Sequence, residues 1–273
     1  MRKYLLSSLL SCLVFLMGLH PIQEAQAQGA YVPYDRDYYH RIERYEILQG
    51  FNNPSFHTGF KPYRRDKIAA FLDSLAGSEV IQSSADRFNL DYLSQDNWEF
   101  VSRETPESKK KPFLKSLYRR PGDFAHYEGD DFGIHLNPVI YLAGGTESDQ
   151  TRNPARLTRG LSVRGSIDKK VSFFTYLTTS EVFYPSWVKG FSEYNGAVPG
   201  EGFWKEYQSD GYSFFSALGH VNFHLTKSIQ VQVGHDRNFI GEGYRSFQLS
   251  DFSNPYMFVK FNTQVWKFQL TNI

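Results

Sequence analysis

The feature that most constrains the fold is a change to period two in the hydropathy pattern from Asp131 onward. In an extended strand successive side chains point to opposite faces, so such alternation makes one face apolar and the other polar. The apolar face consists of Phe132, Ile134, Leu136, Pro138, Ile140 and Leu142, and the opposite face carries Gly133, His135, Asn137 and Tyr141. Eleven residues at about 3.3 Å each span about 36 Å. With a tilt near 45° they cover about 25 Å, the height of the apolar band of an outer-membrane barrel.

The next segment repeats the pattern and adds charge to the second face. One face carries Leu157, Leu161, Val163 and Ile167, and the other carries Thr158, Ser162, Arg164, Ser166 and Asp168. A charged side chain such as Arg164 is expected there only if that face is in contact with water. Further strands are predicted at about 171–180, 212–225, 229–234 and 256–261, and from 265 onward.

The connections between these strands alternate strictly between short and long. The predicted short turns are Asp168-Lys169-Lys170, Thr226-Lys227-Ser228 and Asn262-Thr263-Gln264, and the long connections are 143–156, 181–211 and 235–255. Outer-membrane barrels have short periplasmic turns and long external loops. The alternative is a soluble β-sandwich, which has no reason to place every long loop at one end and would stay soluble without detergent. The pattern therefore predicts an antiparallel transmembrane β-barrel.

The number of strands predicts that the barrel is incomplete in this sequence. About seven strands are visible and the last is interrupted at Ile273, whereas bacterial barrels close with an even number of at least eight. An open edge in lipid leaves backbone groups without hydrogen-bond partners. We therefore expect residues 126–273 to be the first strands of a barrel, truncated at the C-terminus, and the sequence to be a fragment of a longer protein.

The first 27 residues have the features of a secretory signal. Arg2 and Lys3 are followed by an apolar stretch from Leu5 to Leu19 and by the small-residue site Ala25-Gln26-Ala27. We expect export through the Sec pathway with cleavage after Ala27. A transmembrane helix is disfavoured because the apolar run is short. A lipoprotein signal at Cys12 is a second alternative, although the surrounding residues resemble a lipobox only loosely.

Residues 28–125 are predicted to form a small helical periplasmic domain and linker, packed on or inside one end of the barrel. Apolar residues at helical spacing and glycines at the expected ends support this reading. The predicted helices are one capped by Asp35 and stopped by Gly50, one from Arg65 to Leu75, and one capped by Ser94 that carries Trp98 and Phe100.

Charge and composition limit the partners. Removing Arg2, Lys3 and Glu24 with the signal leaves 28 basic and 28 acidic residues, which argues against nucleic acid. Aromatic residues make up 17% of the chain, and with a negative mean hydropathy this fits a barrel whose strands alternate. The basic stretch from Lys109 to Arg120 is either a contact for anionic lipid or phosphate or a solvated linker.

No catalytic signature is present in the sequence, and we expect neither enzyme activity nor a cofactor or metal. His220 and His224 would be about 13 Å apart on one strand face, too far to share an ion, so they are read as polar residues lining the interior. His235 and Asp236 could orient an acid–base pair, but no nucleophile or electrophile stabiliser accompanies them.

The segment 234–251 is the best candidate for binding. It combines glycine turns with two arginines, three acids and three aromatic residues. Aromatic rings stack on the apolar faces of sugars, and Asp, Asn and Arg bind hydroxyls or uronates. The alternatives are a salt-bridged segment that rigidifies the loop and, for the tryptophans, an aromatic girdle. The candidate glycan contacts are Asp236, Arg237, Tyr244, Arg245 and Asp251, with Trp187 and Trp204 from the preceding long loop.

The run GHDRNFIGEGYRSFQLSDFSNPYMFVKFNTQVWKFQLTN resembles the signature region of the Wzi-like capsule-assembly outer-membrane proteins. Their pattern is G-R-D-x-x-F-x-G-x-G-Y-R-S-L-x-L-S-D leading into P-Y-x-F-x-K, and here His235 and Phe247 replace the usual Arg and Leu. The segments KPYRRDKIAAFLDSL and DFGIHLNPV are also similar to that family. The resemblance implies a large antiparallel barrel with a periplasmic helical bundle, acting as a surface lectin that attaches capsular polysaccharide.

These observations predict a non-enzymatic outer-membrane protein that binds and organises surface polysaccharide. The similar RemB-type proteins are associated with gliding motility, so a gliding or adhesion component that contacts other cell-surface proteins is one alternative. A porin or transporter is another, because Arg164, His220 and His224 could line a pore. The expected partners are surface polysaccharide, outer-membrane lipid and other cell-surface proteins.

Overall fold

Nine of the described strands form one antiparallel sheet, which confirms the prediction of a mainly β chain. The computed structural model describes residues 29–34, 36–50, 56–105, 107, 116–148, 152–168, 170–226, 228–266 and 268–273. The predicted signal and most of the basic stretch lie outside these residues. The strands are β1 (Phe60–Lys61), β2 (Ala125–Glu128), β3 (Phe132–Gly144), β4 (Ala155–Ile167), β5 (Val171–Phe183), β6 (Lys205–Tyr207), β7 (Gly211–His224), β8 (Ile229–Asp236), β9 (Phe239–Ile240), β10 (Tyr256–Val265) and β11 (Phe268–Asn272).

The order of the strands follows the chain. The sheet runs β11-β10-β8-β7-β5-β4-β3-β2, with β6 paired to β7, while β1 and β9 form a separate two-stranded ladder. Within the described residues β2 and β11 are each paired on one side only. Neighbouring strands are joined alternately by short and long connections, as predicted. One predicted turn is wrong, because Asn262-Thr263-Gln264 continues β10 and the chain reverses between Val265 and Phe268.

The two faces of the sheet differ in polarity, and the polar one is buried. The register places His135, Arg164, Phe174, His220 and Gly234 side by side across five strands. Buried polar residues on this face are His135, Thr158, Arg164, Ser172, Thr178, Ser180, His220, Asn222, Gln230, Gln232, Asp236 and Lys260. The opposite face exposes Phe132, Ile140, Leu142, Leu161, Ile167, Leu177, Phe215, Val221, Val233, Met257, Val259, Phe261, Val265, Phe268 and Leu270. The predicted alternation of β3 and β4 is thus confirmed.

The expectation that Arg164 requires a wet face is wrong. Arg164 is 5% exposed, and carboxylates compensate its charge in place of water. Its Nε lies 3.1 Å from Glu99 Oε1, and its Nη2 lies 3.1 Å from Asp123 Oδ1. Both carboxylates precede β2 in the chain, so the segment before the sheet folds back onto the polar face.

Three helices precede the sheet: α1 (Arg36–Gln49), α2 (Arg65–Leu75) and α3 (Ser84–Asp96). The predicted bounds of α2 are confirmed, and Gly50 and Gly77, which follow α1 and α2, have the positive φ typical of a helix end. The cap at Asp35 falls outside the described residues. The third helix was placed wrongly, because Ser83 caps α3 by accepting a hydrogen bond from the Asp86 N–H at 3.0 Å. Ser94 instead lies in its last turn and donates to the Leu90 carbonyl.

The helices form their own apolar core. α1 contributes Ile42 and Tyr45, α2 contributes Ile68 and Leu72, and α3 contributes Leu93, all fully buried. The helical domain of residues 29–105 therefore has an interior independent of the sheet. No helix among the described residues is long and apolar enough to cross a membrane.

The helical domain packs on the polar face near the short turns and also contacts the connection between β8 and β10. The backbone N–H of Tyr31 donates to Nε2 of His220 at 3.2 Å, and its hydroxyl donates to Oε1 of Gln230 at 3.1 Å. The ring of Tyr34 stacks on Phe239 with centroids 4.9 Å apart. The helical segment therefore packs on the polar face of the sheet, and its contacts are not confined to one end.

The long connection between β5 and β7 covers the part of the polar face that is nearer the long loops. It contains a fourth helix, α4 (Ser186–Asn195), which was not predicted from the sequence. After α4, Val198 packs with Val182, Tyr212 and Phe214 in a second apolar cluster. This connection and the one between β8 and β10 are brought together at one end of the sheet, the long-loop end.

Candidate functional site

The predicted glycan contacts divide between the interior and the surface of the long-loop end. Asp236 is the last residue of β8 and is 4% exposed. Its Oδ1 accepts a hydrogen bond from the Arg237 N–H at 2.7 Å, and its Oδ2 lies 3.7 Å from Nδ1 of His220. Asp236 is therefore an interior residue and is not placed to contact a surface polymer.

His235 and Asp236 do not form an acid–base pair. As neighbours in a strand they point to opposite faces of the sheet. The ring of His235 is hydrogen bonded to the Ala217 carbonyl through Nδ1 at 2.8 Å, whereas Asp236 lies beside His220 on the polar face. The side chains of these two sequence neighbours are therefore on opposite faces of the sheet and do not contact each other.

Arg237 joins the two long connections. Its Nε donates to the Ser253 carbonyl at 3.0 Å, and its Nη2 donates to the Gly200 carbonyl. The same nitrogen is 3.6 Å from Glu201 Oε2. The guanidinium is thus held by groups of the chain itself, which matches the alternative in which charged residues of this segment make the loop rigid.

Tyr244, Arg245 and Asp251 come together on the surface. Nη1 of Arg245 is 3.5 Å from Asp251 Oδ1, and its guanidinium carbon is 5.2 Å from the centroid of the Tyr244 ring and 5.4 Å from that of Phe252. The Arg245 side chain is 51% exposed and Tyr244 is 74% exposed. Stacking on two rings orients the guanidinium while part of it faces solvent.

α4 extends this surface through its aromatic residues. Phe191 contacts Phe252 edge to face, with centroids 5.8 Å apart. Trp187 lies one turn before Phe191, on the same side of the helix, and is 75% exposed. Trp187, Phe191, Phe252, Tyr244 and Arg245 form an exposed row of aromatic and cationic side chains, which we term the aromatic ridge.

Trp204 does not belong to the ridge. Its ring lies edge to face against Tyr212 at 4.7 Å and packs on the apolar cluster around Val182 and Val198. Tyr184 packs on the same cluster, and burial raises the pKa of its hydroxyl to about 12. Trp204 therefore supports the loop beneath the ridge.

Loop-to-loop contacts hold α4 in place. The carboxylate of Glu147, in the connection between β3 and β4, accepts a hydrogen bond from the Ser186 N–H at 2.9 Å at the start of the helix. Hydrogen bonds from the Ser186 hydroxyl and backbone lower the pKa of Glu147. Lys189 forms an ion pair with Asp210, just before β7. All three long connections thus contribute to the position of the ridge.

Phe191 and Phe252 were not among the predicted contacts. Trp187 and Phe191 are four residues apart, which is the spacing of one face of a helix. The surrounding glycine and polar residues are typical of a loop, so a helix was not predicted here. Among the described residues, no group of three or more His, Cys, Asp or Glu side chains could hold a metal ion. The arrangement is suited to binding by stacking and by charged hydrogen bonds.

No family model, curated protein or solved structure was found to match the chain. The resemblance to the Wzi-like family therefore stays a prediction made from the sequence motif.

Proposed function

We propose that this chain is an outer-membrane protein whose sheet belongs to a transmembrane β-barrel and whose aromatic ridge binds surface polysaccharide. The observation that supports the membrane assignment most strongly is the polarity of the sheet. Its polar face is buried and its apolar face is exposed. Ile140 and Leu142 are each 72% exposed, Met257 is 73% exposed and Leu270 is 60% exposed. A soluble protein rarely exposes a continuous apolar patch of this extent.

The dimensions of the sheet also support the membrane assignment. β3, β4 and β5 each have 13 residues, which corresponds to about 43 Å of strand and about 30 Å of height at a tilt of 45°. A row on the exposed face crosses six strands and consists of Ile134, Gly165, Phe173, Val221, Val233 and Val259. The ion pair of Arg159 and Glu181 lies on the same face, nearer the long loops and level with Ile140 and Leu142.

The proposed orientation follows from the connections. Outer-membrane barrels place short turns in the periplasm and long loops outside the cell. The helical domain, which contacts the short-turn half through Tyr31 and the β8–β10 connection through β1, would then lie on the periplasmic side of the ridge, and the ridge would face the exterior. Because the helical domain and the β5–β7 connection both pack on the polar face, this arrangement favours binding over free diffusion through a pore.

The chemistry of the ridge supports a glycan as the external partner. The rings of Trp187 and Tyr244 are exposed and can stack on the apolar faces of sugars. Arg245 is orientated by Asp251 and two rings, and its exposed part can bind a hydroxyl or a carboxylate. No redox or nucleophilic group is required for this role, which is attachment without catalysis.

A binding measurement with matched variants tests the proposal. Calorimetry with the purified full chain in detergent and the host's native polysaccharide should give saturable binding. Replacing Trp187 and Tyr244 with Ala should weaken it by about tenfold or more, because each stacked ring contributes roughly 1 kcal/mol or more. Phe88→Ala is the control, since Phe88 is 71% exposed but lies on α3 of the helical domain.

Absence of binding to any native polysaccharide would contradict the proposal and favour a gliding or adhesion role. Equal loss of binding in the Phe88→Ala control would show that the effect is not specific to the ridge. Deletion of the gene provides the cellular test, because an attachment protein predicts polysaccharide lost from cells and recovered in the medium.

A further inference from the structure

A cleft lies at the opposite end of the sheet from the aromatic ridge. It is a cavity of about 100 Å³ between the segment around Tyr31, the start of α2, and strands β8, β10 and β11. Its lining contains Arg64, Lys67, His224 and Lys260, but no Asp or Glu among the described residues. The cleft is therefore rich in positive charge and hydrogen-bond donors.

Two lysines contribute to the lining of the cleft. Lys260 is 4% exposed, and its Nζ donates to Asn238 Oδ1 at 3.0 Å and lies 4.7 Å from the centroid of the Tyr31 ring. The carboxylate of Asp236 interacts electrostatically with Lys260 from outside the lining. Lys67, in the first turn of α2, makes no ion pair within the part of the chain that the structure describes. An anion bound here would compensate the charge of Lys67 and could accept a hydrogen bond from Lys260.

Arg64 directs part of its guanidinium into the same space. Its Nε and Nη2 bind Asp66 at 2.9 and 2.6 Å. Its Nη1 instead lies 3.2 Å from Gln230 Oε1 and 3.4 Å from His224 Nε2. The Asp66 carboxylate compensates the charge of Arg64, and the charge of Lys67 remains.

Gln230 supplies a donor without an acceptor. Its Oε1 accepts hydrogen bonds from the Tyr31 hydroxyl at 3.1 Å and from Arg64, which fixes the orientation of the amide. The amide nitrogen Nε2 therefore points away from these two donors, and it is buried without a hydrogen-bond partner among the described residues. Gln230 is 5% exposed and lines the cleft. A buried unpaired donor is costly, so an acceptor is expected beside it.

Aromatic residues also line the cleft. Phe56 and Tyr63 are packed with ring centroids 4.5 Å apart, and Phe60 is a further member of the lining. A lining that combines rings with cations and amides suits a ligand that has both a flat apolar face and a negative group. We propose that this cleft binds an anionic sugar unit, with the carboxylate or phosphate at Lys67, Lys260 and Gln230 Nε2 and the sugar ring against the aromatic residues.

The test uses small ligands and the full chain in detergent. Calorimetric titration with glucuronate should show saturable binding, with weaker binding of inorganic phosphate and none of glucose at the same concentrations. Lys67→Gln should weaken glucuronate binding by about tenfold or more through loss of a charged hydrogen bond, and Lys67→Arg should retain most of it. Lys205→Gln, an exposed lysine at the long-loop end, is the matched control.

Each outcome bears on the proposal. Equal binding of glucose and glucuronate would overturn the role of the charge, and phosphate binding as tight as glucuronate would overturn the assignment to a sugar. No saturable glucuronate binding, or full binding by Lys67→Gln, would overturn the site. The inference does not depend on the ridge, because substitutions at Trp187 and Tyr244 should leave glucuronate binding unchanged even if polysaccharide binding is lost.

Discussion

At the scale of single residues, the contact between the helical domain and the sheet is governed by buried charge. Asp123 is fully buried and accepts a hydrogen bond from the Trp98 indole at 2.6 Å. Burial opposes ionisation of Asp123, but its hydrogen bond with His135 and the charge of Arg164 hold its pKa well below the usual range. Asp123 and Glu99 are thus the counter-charges that allow Arg164 to be buried.

Removing Arg164 should therefore weaken the structure strongly. Arg164→Met keeps the length of the side chain but leaves Asp123 and Glu99 without their cation, and breaking a buried pair costs roughly 3–5 kcal/mol. Denaturant unfolding in detergent measures this change. Lys170→Met, in the short turn after β4, is the control, because its pair with Asp168 is exposed at both residues and exposed pairs contribute about 1 kcal/mol or less. Equal effects of the two substitutions would contradict the buried network.

At the scale of elements, α4 is the part of the fold that depends most on its surroundings. It is 10 residues long, and isolated helices of this length are marginal in water. Gly190 lies in its middle and lowers the intrinsic tendency to form a helix. Contacts with Glu147, Asp210 and Phe252 compensate for this weakness, which explains why local sequence did not predict the helix.

Two glycines, Gly190 within α4 and Gly196 directly after it, should respond in opposite ways to replacement by alanine. An added Cβ at Gly190 or at Gly196 meets no atom within 4 Å, but Gly196 has φ +64°. Gly190→Ala should stabilise α4 by up to about 1 kcal/mol, whereas Gly196→Ala should destabilise it by about 1 kcal/mol through its left-handed backbone. Hydrogen exchange of the α4 amides measures both. Slower exchange in Gly196→Ala than in the parent chain would refute the assignment of Gly196 as the helix end.

At the scale of the whole molecule, the sheet has its polarity reversed relative to a soluble β-protein. The helical domain and the long β5–β7 connection both pack on the polar face, and the apolar face has no covering element among the described residues. The proposed lipid environment would stabilise such a face, since apolar side chains gain from leaving water.

A charge on the exposed face distinguishes a lipid environment from water. Leu177 is 40% exposed in the middle of β5. Leu177→Arg should reduce insertion into lipid vesicles, because an arginine near the mid-plane costs about 2–4 kcal/mol. Vesicle flotation measures the inserted fraction, and Phe88→Arg on the helical domain should leave it unchanged. Normal insertion of Leu177→Arg, with improved solubility in water, would instead favour the soluble sandwich.

Local sequence predicted the long strands of the sheet and the bounds of α2, but not the short strands β2 and β6. The alternation in β3 and β4, the glycines after α1 and α2 and two of the three predicted short turns are properties of neighbouring residues, so they can be read without knowledge of the fold. The surface cluster of Tyr244, Arg245 and Asp251 was predictable for the same reason, because these residues lie within one connection.

Only the tertiary structure decided what covers the polar face and which candidate residues meet. Arg164 finds Glu99 65 positions earlier in the chain, and Phe191 meets Phe252 across two separate connections. Such pairs depend on strand register and on the return of the helical domain, which no local pattern encodes. Asp236 lies in the interior beside His220, and Arg237 lies between two loops, where it binds the carbonyls of Ser253 and Gly200. Buried charges need such partners, and the tertiary fold decides which groups are close enough to provide them.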